Sequence, residues 1–495
     1  VRVGIIGAAL ALALTAGCVA PSREAATSRF GLSDTDRRLA QSLGHYAQAL
    51  VYEREEGPFS DGAFKHYSAA AENDPSRLNI GAKAALLGIG RQDAARSIQI
   101  LLDSASHNPK SPQPWLDLGA IYQALTNYPK AVSAYRKAIS LDRNIPQAYV
   151  SLASVLFRLN WDRDADRALR EGFRNCTDTS SIAAYCFGQG REFLALEQPQ
   201  RAVLCFRILA DTQAENSPHF HNLIGEIYSE MGDRKQAEKH FLLATRKSPP
   251  LPDSFIRLAL LYLQDDPQKA VATLLEADRI IPNHPTMLFV LGTAYSRMKR
   301  YREAIAVFER VESLVGSSAP GGKLSPAFYL HYGGACERSG DMERAEKIFE
   351  KCLDIYPDAD EVLNYLAYMW AEAGVKLDRA REYVARALEK EPSNGAYVDT
   401  LGWILFKQGK YEEALPLLEK AYELAGHDAV IADHVADTYM KLGNREKAVD
   451  YWKKSLQADP LNGAVSSKLS EAGVDVGKFL KAVERKRKLP SHAAE

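Results

Sequence analysis

Apolar residues recur along this chain at helical spacing, in short runs broken by turn residues. The stretch Gly395–Leu424, GAYVDTLGWILFKQGKYEEALPLLEKAYEL, shows the pattern most cleanly. Val398, Leu401 and Leu405 fall at i, i+3 and i+7, one face of a helix. Gly402 lies on the same side and lets another backbone approach closely. Gly409-Lys410 interrupts the periodicity, and a second run then aligns Ala414, Leu417, Leu418, Ala421 and Leu424. Pro416 removes an amide donor and crowds the carbonyl of Glu412, which predicts a slight kink in that second helix. Two short amphipathic helices joined by a tight turn follow from this pattern. Neither buries its apolar face alone, so the unit requires stacked neighbours.

Those neighbours are present in the sequence. The place of Ala414 is taken by Ala63, Ala95, Ala131, Ala165, Ala202, Ala237, Ala270, Ala304, Ala345, Ala380 and Ala448. Successive positions are 32 to 37 residues apart, with a single interval of 41 between Ala304 and Ala345. Around them the motif repeats in more detail. Trp115-x2-Leu118-Gly119-x2-Tyr122 is followed by Ala131, Tyr135 and Ala138; Ile224-Gly225-x2-Tyr228 by Ala237, Phe241, Ala244 and Pro249. Leu291-Gly292-x2-Tyr295 precedes Ala304 and Phe308, Tyr332-Gly333 precedes Ala345, Phe349 and Pro357, and Val435-Ala436-x2-Tyr439 precedes Ala448, Trp452 and Pro460. This signature and its period of roughly 34 residues resemble the tetratricopeptide repeat. The resemblance covers residues 38–462. It implies an all-α fold, a right-handed α-solenoid of about twelve helical hairpins with a C-terminal capping helix. Three repeats depart from the pattern. Asn79–Pro109 has Lys83 where Gly or Ala is usual, Tyr149–Arg174 has Gly172 where Ala is usual, and Tyr185–Leu209 follows extra loop residues.

The long interval contains GSSAPGGKLS, residues 316–325, a Gly/Ser/Pro insert that reads as a hinge or as a surface loop. It divides the array into an N-terminal part, 38–315, of about eight repeats and a C-terminal part, 326–462, of about four. Residues 463–495 form a capping helix and tail, as an open-ended solenoid requires.

The first residues differ in character. Val1–Gly17 is apolar with one positive charge, Arg2, and too short for a membrane span. It has the charged start, apolar run and small-residue end of a secretory signal. Leu14-Thr15-Ala16-Gly17-Cys18 resembles the lipobox of bacterial lipoproteins. The resemblance implies cleavage before Cys18, acylation of that residue, and membrane anchoring through the lipid. Val19, rather than Asp, after the cysteine implies outer-membrane retention on the periplasmic side. Residues 18–37, rich in Ala, Ser, Thr and Arg, form a tether.

Composition narrows the chemistry. Lys plus Arg number 62 and Asp plus Glu 63, so nothing favours a nucleic-acid partner held by phosphate neutralisation. Six cysteines without a CxxC pair outline no zinc framework. With Cys18 acylated, Cys176–Cys186 and Cys336–Cys352 are the pairs open to disulfide formation; the alternative is small buried thiols. His219 and His221 diverge on a helix, and His427 and His434 lie too far apart for one zinc. No HExxH, phosphate-loop, GxSxG or calcium-loop pattern occurs, so neither catalysis nor a cofactor is expected.

The remaining candidate is a groove. By resemblance, the first helix of each hairpin lines a binding surface with residues offset from the packing register. These are Asn364, Tyr368 and Glu372; Asp399, Trp403, Phe406 and Lys407; and Asp433, Asp437 and Lys441. An exposed Trp403 and Phe406 beside Asp and Lys would suit an anchored peptide or protein partner. Ile256, Leu260, Leu263 and Phe289 make the groove more apolar upstream, fit for an apolar or amphipathic segment. The competing reading is that all of these pack between helices. The reading for the whole chain is a membrane-anchored scaffold for protein partners in envelope assembly or export. Two alternatives stand beside it: a periplasmic glycan or peptidoglycan binder or enzyme-associated subunit, and a cytoplasmic scaffold if the signal is not processed.

Overall fold

The computed structural model describes residues 32–91, 93–246, 250–318 and 323–488. The signal at 1–17, Cys18 and most of the tether lie outside the described residues, as does the middle of the 316–325 insert. Every regular element among the described residues is a helix. Packing divides the chain into two units, before and after the Asn216/Ser217 boundary. The first holds five antiparallel hairpins, from Asp34–Glu55 with Asp61–Asn73 to Ser180–Ala195 with Pro199–Thr212. The second holds seven, from Ser217–Glu230 with Arg234–Thr245 to Ala429–Lys441 with Arg445–Ala458, then the helices Gly463–Glu471 and Val476–Lys488. The twelve expected hairpins are therefore present. In the second unit one apolar core runs from Ala237 to Ile404, including Val311 and Phe328 on either side of the insert.

Local sequence sets the helix ends. Asp or Asn caps the second helix of many hairpins: Asn127 accepts from the Lys130 amide, Asp233 from Gln236, Asp341 from Arg344 and Asn444 from Lys447. In many hairpins the residue just before the N-cap of the second helix turns left-handed. Gly232, Gly340, Gly409 and Gly443 supply this conformation freely, with φ of 76–91°. Thr126, Asn160, Glu197 and Lys299 adopt it at φ 56–58° despite their side chains.

One contact repeats through the stack. A Cβ added to Gly119, Gly190, Gly225, Gly292 or Gly333 would lie 2.4–2.7 Å from the ring of Tyr135, Phe206, Phe241, Phe308 or Phe349. Each partner is sixteen residues downstream. The glycine lets the first helix rest on the aromatic of the second, and Leu418 fills the same place against Gly402 at 2.8 Å.

The alanine ladder needs one correction. Ala95 is exposed, and Ser97 is fully buried in its stead. Ser97 Oγ donates to the Ala85 carbonyl at 2.9 Å, so a residue of alanine's size enters the seam with its hydroxyl satisfied. Ala63, Ser97 and Ala131 are then spaced by 34 residues each, and buried Ala85, not Lys83, holds the small position of the first helix. Gly172 is likewise no defect: a Cβ there would meet Ile182 at 2.7 Å. Leu424 is 42% exposed and Tyr422 buried in its place, because Tyr422, four residues after Leu418, stays on the buried face at regular helical spacing. The helix Tyr411–Leu424 continues through Pro416. Cys176, Cys186, Cys205, Cys336 and Cys352 are free and buried, so neither disulfide pair forms. Burial pushes the Cys336 and Cys352 thiols up to about 11, which keeps them protonated.

Candidate functional site

The offset residues gather where the first helices Asp360–Ala373, Gly395–Lys407 and Ala429–Lys441 come together in the second unit. They do not form an open surface. Trp403 is 6% exposed because both faces of its indole are covered. His434 stacks on one face at 3.9 Å between centroids and Phe406 on the other at 4.4 Å. The indole Nε1 donates to Glu372 Oε1 at 2.5 Å. Asp399, 5% exposed, faces His434 across the next pair of helices, with Nδ1 2.9 Å from Oδ1 and 3.1 Å from Oδ2. The expectation of an exposed Trp403 is thus corrected. Asp399 and Trp403 serve inter-helix packing, and a sugar ring has no free indole face to stack on.

What remains open to solvent is the rim of this cluster. Phe406, half-buried, ends the three-ring stack, with the Tyr411 ring T-shaped against it at 5.2 Å between centroids. Lys407 Nζ donates to the Glu372 carbonyl at 3.2 Å and lies 4.9 Å from the Trp403 ring centre. Glu372 and Lys441 are exposed. Tyr368 and Glu372 also line a cavity of about 440 Å³ with Glu337, Arg338, Tyr365 and Met369. Asn364 is half-buried nearby, and its Oδ1 has no hydrogen-bond partner. Asp433 and Asp437 turn the other way. Both accept from Lys468 Nζ at 2.7 Å, tying the helix Gly463–Glu471 to the last hairpin, and Asp437 also accepts from Trp452 Nε1.

The electrostatics follow from this burial. Desolvation alone would lower the His434 pKa, but the Asp399 carboxylate, with Glu372 and Asp433 farther off, outweighs it and raises the value. Burial, then Asp437, raises the Asp433 carboxyl against the pull of Lys468. Burial pulls Lys468 down, and its two carboxylates more than offset this. The Tyr368 phenol is pushed up by burial and by nearby Glu372 and Asp399.

Upstream, the apolar set splits. Leu263 is buried in the core and lines no groove. Leu260 is 47% exposed, Ile256 is half-buried, and Phe289 is half-buried against Phe308, Phe328 and His331.

The sequence reading missed the histidines as structural groups. Besides His434, His45 and His66 bring their Nδ1 atoms to 3.0 Å, and buried His221 and His240 to 3.2 Å. The signal for His434 was available: it lies 35 residues after Asp399, one repeat on, as Trp403 lies 31 after Glu372 and Lys468 35 after Asp433. Among the described residues no group of three His, Cys, Asp or Glu is arranged to hold a metal ion. No described helix is long and apolar enough to cross a membrane.

Family models described as tetratricopeptide repeat match residues 70–314, 326–369, 375–429 and 405–471. The TPR repeat-containing protein YpiA of Bacillus subtilis is 22% identical over 50% of this chain and 56% of its own length. The TPR repeat-containing protein MJ1428 of Methanocaldococcus jannaschii is 24% identical over 72% of this chain and 58% of its own. The chain thus spans little more than half of either relative. Among solved structures, the APC/C hetero-tetramer Cut9-Hcn1 aligns over 89% of this chain and 96% of its own, at 14% identity and a TM-score of 0.42. Yeast Tom70 aligns over 91% and 97%, at 16% identity and a TM-score of 0.38.

Proposed function

This chain belongs to the tetratricopeptide-repeat family, and from that premise we propose that it is a membrane-anchored scaffold holding protein partners on the face of its first helices. The observation that carries the reading is the ring stack Phe406–Trp403–His434, which Glu372 and Lys407 flank with opposite charges, while Lys441 stands exposed on the next first helix. A pre-ordered aromatic edge with fixed charges loses little entropy when a partner docks. Trp403 holds the stack in place, and Phe406, Tyr368, Glu372, Lys407 and Lys441 make the contacts. The apolar pair Ile256 and Leu260 extends the same kind of face toward an amphipathic segment. The anchor is Cys18, supported by the run Leu14–Cys18, and the place of work is the periplasmic side of the outer membrane, in envelope assembly or export.

The test is site-specific photo-crosslinking in intact membranes. A benzophenone side chain at residue 406 or 441 is expected to give discrete adducts. The same group at Lys420, exposed on the second helix Tyr411–Leu424, is expected to give none. Adducts at 420 and none at 406 or 441 would remove the assigned face. Mass spectrometry of the N-terminus decides the anchor: a diacylated or triacylated Cys18 is expected, and an unprocessed Val1 would overturn it.

A further inference from the structure

The first unit carries a second surface, built from second helices. Tyr128–Leu141 and Asp162–Asn175 wall a groove of about 670 Å³, floored by buried Tyr149, Leu152 and Leu156 of the helix Pro146–Arg158. Arginines line both walls. Arg136 and Arg143 stand on one side, and Arg167 and Arg174 on the other. Arg167 and Arg174 are seven residues apart on one helix, hence on one face and about 10.5 Å apart along its axis.

The local charge is unlike that of the whole chain. Residues 128–175 contain nine Lys or Arg and five Asp or Glu, in a chain of net charge −1. The three aspartates at the start of Asp162–Asn175 are already engaged. Asp162 pairs with Arg201 at 2.6 Å, Asp164 with Arg167 at 3.1 Å and Asp166 with Arg170 at 3.0 Å. Arg136, Arg143 and Arg174 are exposed and make no ion pair among the described residues. Three guanidinium forks without an ion-pair partner thus stand around a groove whose accessible apolar lining is half-buried Ile139, a geometry that favours carboxylate ligands.

We propose that this groove binds an acidic, amphipathic segment of a partner protein, with carboxylates reaching Arg136, Arg143 and Arg174 and an apolar face against half-buried Ile139 on the groove wall. Asp164 and Glu171 also line the groove. Their charges disfavour a uniformly anionic surface such as a lipid bilayer. They tolerate discrete carboxylates spaced to meet the arginines. The face is distinct from the one assigned above, which lies on first helices of the other unit.

The test uses the full chain and a fluorescein-labelled helical peptide bearing Glu at i and i+7 on one face and Leu on the other. A peptide of the same composition in scrambled order is the control. The ordered peptide is expected to bind more tightly than the scrambled one, and binding is expected to weaken with added salt. The double variant Arg143→Glu/Arg174→Glu is expected to weaken it about tenfold or more. Arg191→Glu, exposed and outside the groove, is expected to leave it within twofold. Both sites are on the surface and unpaired, so circular dichroism of the variants should match the parent. Equal binding of the two peptides, or an equal loss in Arg191→Glu, would overturn the proposal. Phosphatidylglycerol vesicles that bind through the same arginines and displace the peptide would overturn it in favour of a membrane surface.

Discussion

Replacing Asp399 by Asn keeps the shape of a side chain that is 5% exposed and removes its charge. His434 then has no counter-ion at 2.9 Å, while its ring stays clamped against Trp403. A buried imidazolium stranded in this way would cost about 3–5 kcal/mol. The imidazole escapes most of that by losing its proton, because its charged state was maintained by Asp399 in the first place. The neutral ring still hydrogen-bonds to the Asn carbonyl. The expected loss is therefore only the difference between a charge-assisted and a neutral hydrogen bond, about 1 kcal/mol. The pH dependence separates the two cases. The folded pKa of His434 is raised above the unfolded value of about 6.5. Its contribution is thus complete below that pH and is lost as pH rises through the folded value. Hydrogen exchange in peptides covering Gly395–Lys441 reads this locally, as suits an array whose repeats open piecewise. Protection in the parent should fall as pH rises through that window, after correction for intrinsic exchange, and the slope should flatten in Asp399→Asn. Equal slopes in both proteins would refute the coupling. So would a loss of 3 kcal/mol or more that persists at high pH, since no charge is then left to strand.

Three further outcomes test the packing. Ser97→Glu should place an unpaired carboxylate in a closed seam and cost about 3–5 kcal/mol, whereas Ala95→Glu on the exposed face should change the melt by less than about 0.5 kcal/mol. Gly333→Ala drives a Cβ to 2.4 Å from the Phe349 ring and should destabilise by about 1–3 kcal/mol, while Gly188→Ala, with open space around it in a helix, should stabilise by about 0.5–1 kcal/mol. Native Cys336 and Cys352 should resist iodoacetamide at pH 8 and react fully once the chain is unfolded in urea; rapid native labelling would contradict their burial.

Much of the fold was legible because one small residue recurs where two helices touch. Period alone located the hairpins. It misassigned Ala95 because serine has nearly alanine's size and buries equally well once its hydroxyl finds a carbonyl. The left-handed turns at Thr126, Glu197 and Lys299 carried no glycine to announce them. The site was less legible for a different reason. Helical spacing identified Asp399 and Trp403 as off the packing register of their own hairpin. It did not show that this off-register face meets the first helix of the next hairpin. That contact is written in separations of 31–35 residues, and His434 becomes visible only when those are read across repeats.

The central claim is that partners contact the Phe406 end of the ring stack and the charged side chains of the neighbouring first helices. For a partner captured at residue 441, the affinity of the intact protein should fall about tenfold or more in Phe406→Ala/Lys441→Glu, with helical content unchanged. Lys420→Glu should leave it within about twofold. Undiminished affinity in the double variant, or an equal loss at Lys420, would contradict the account.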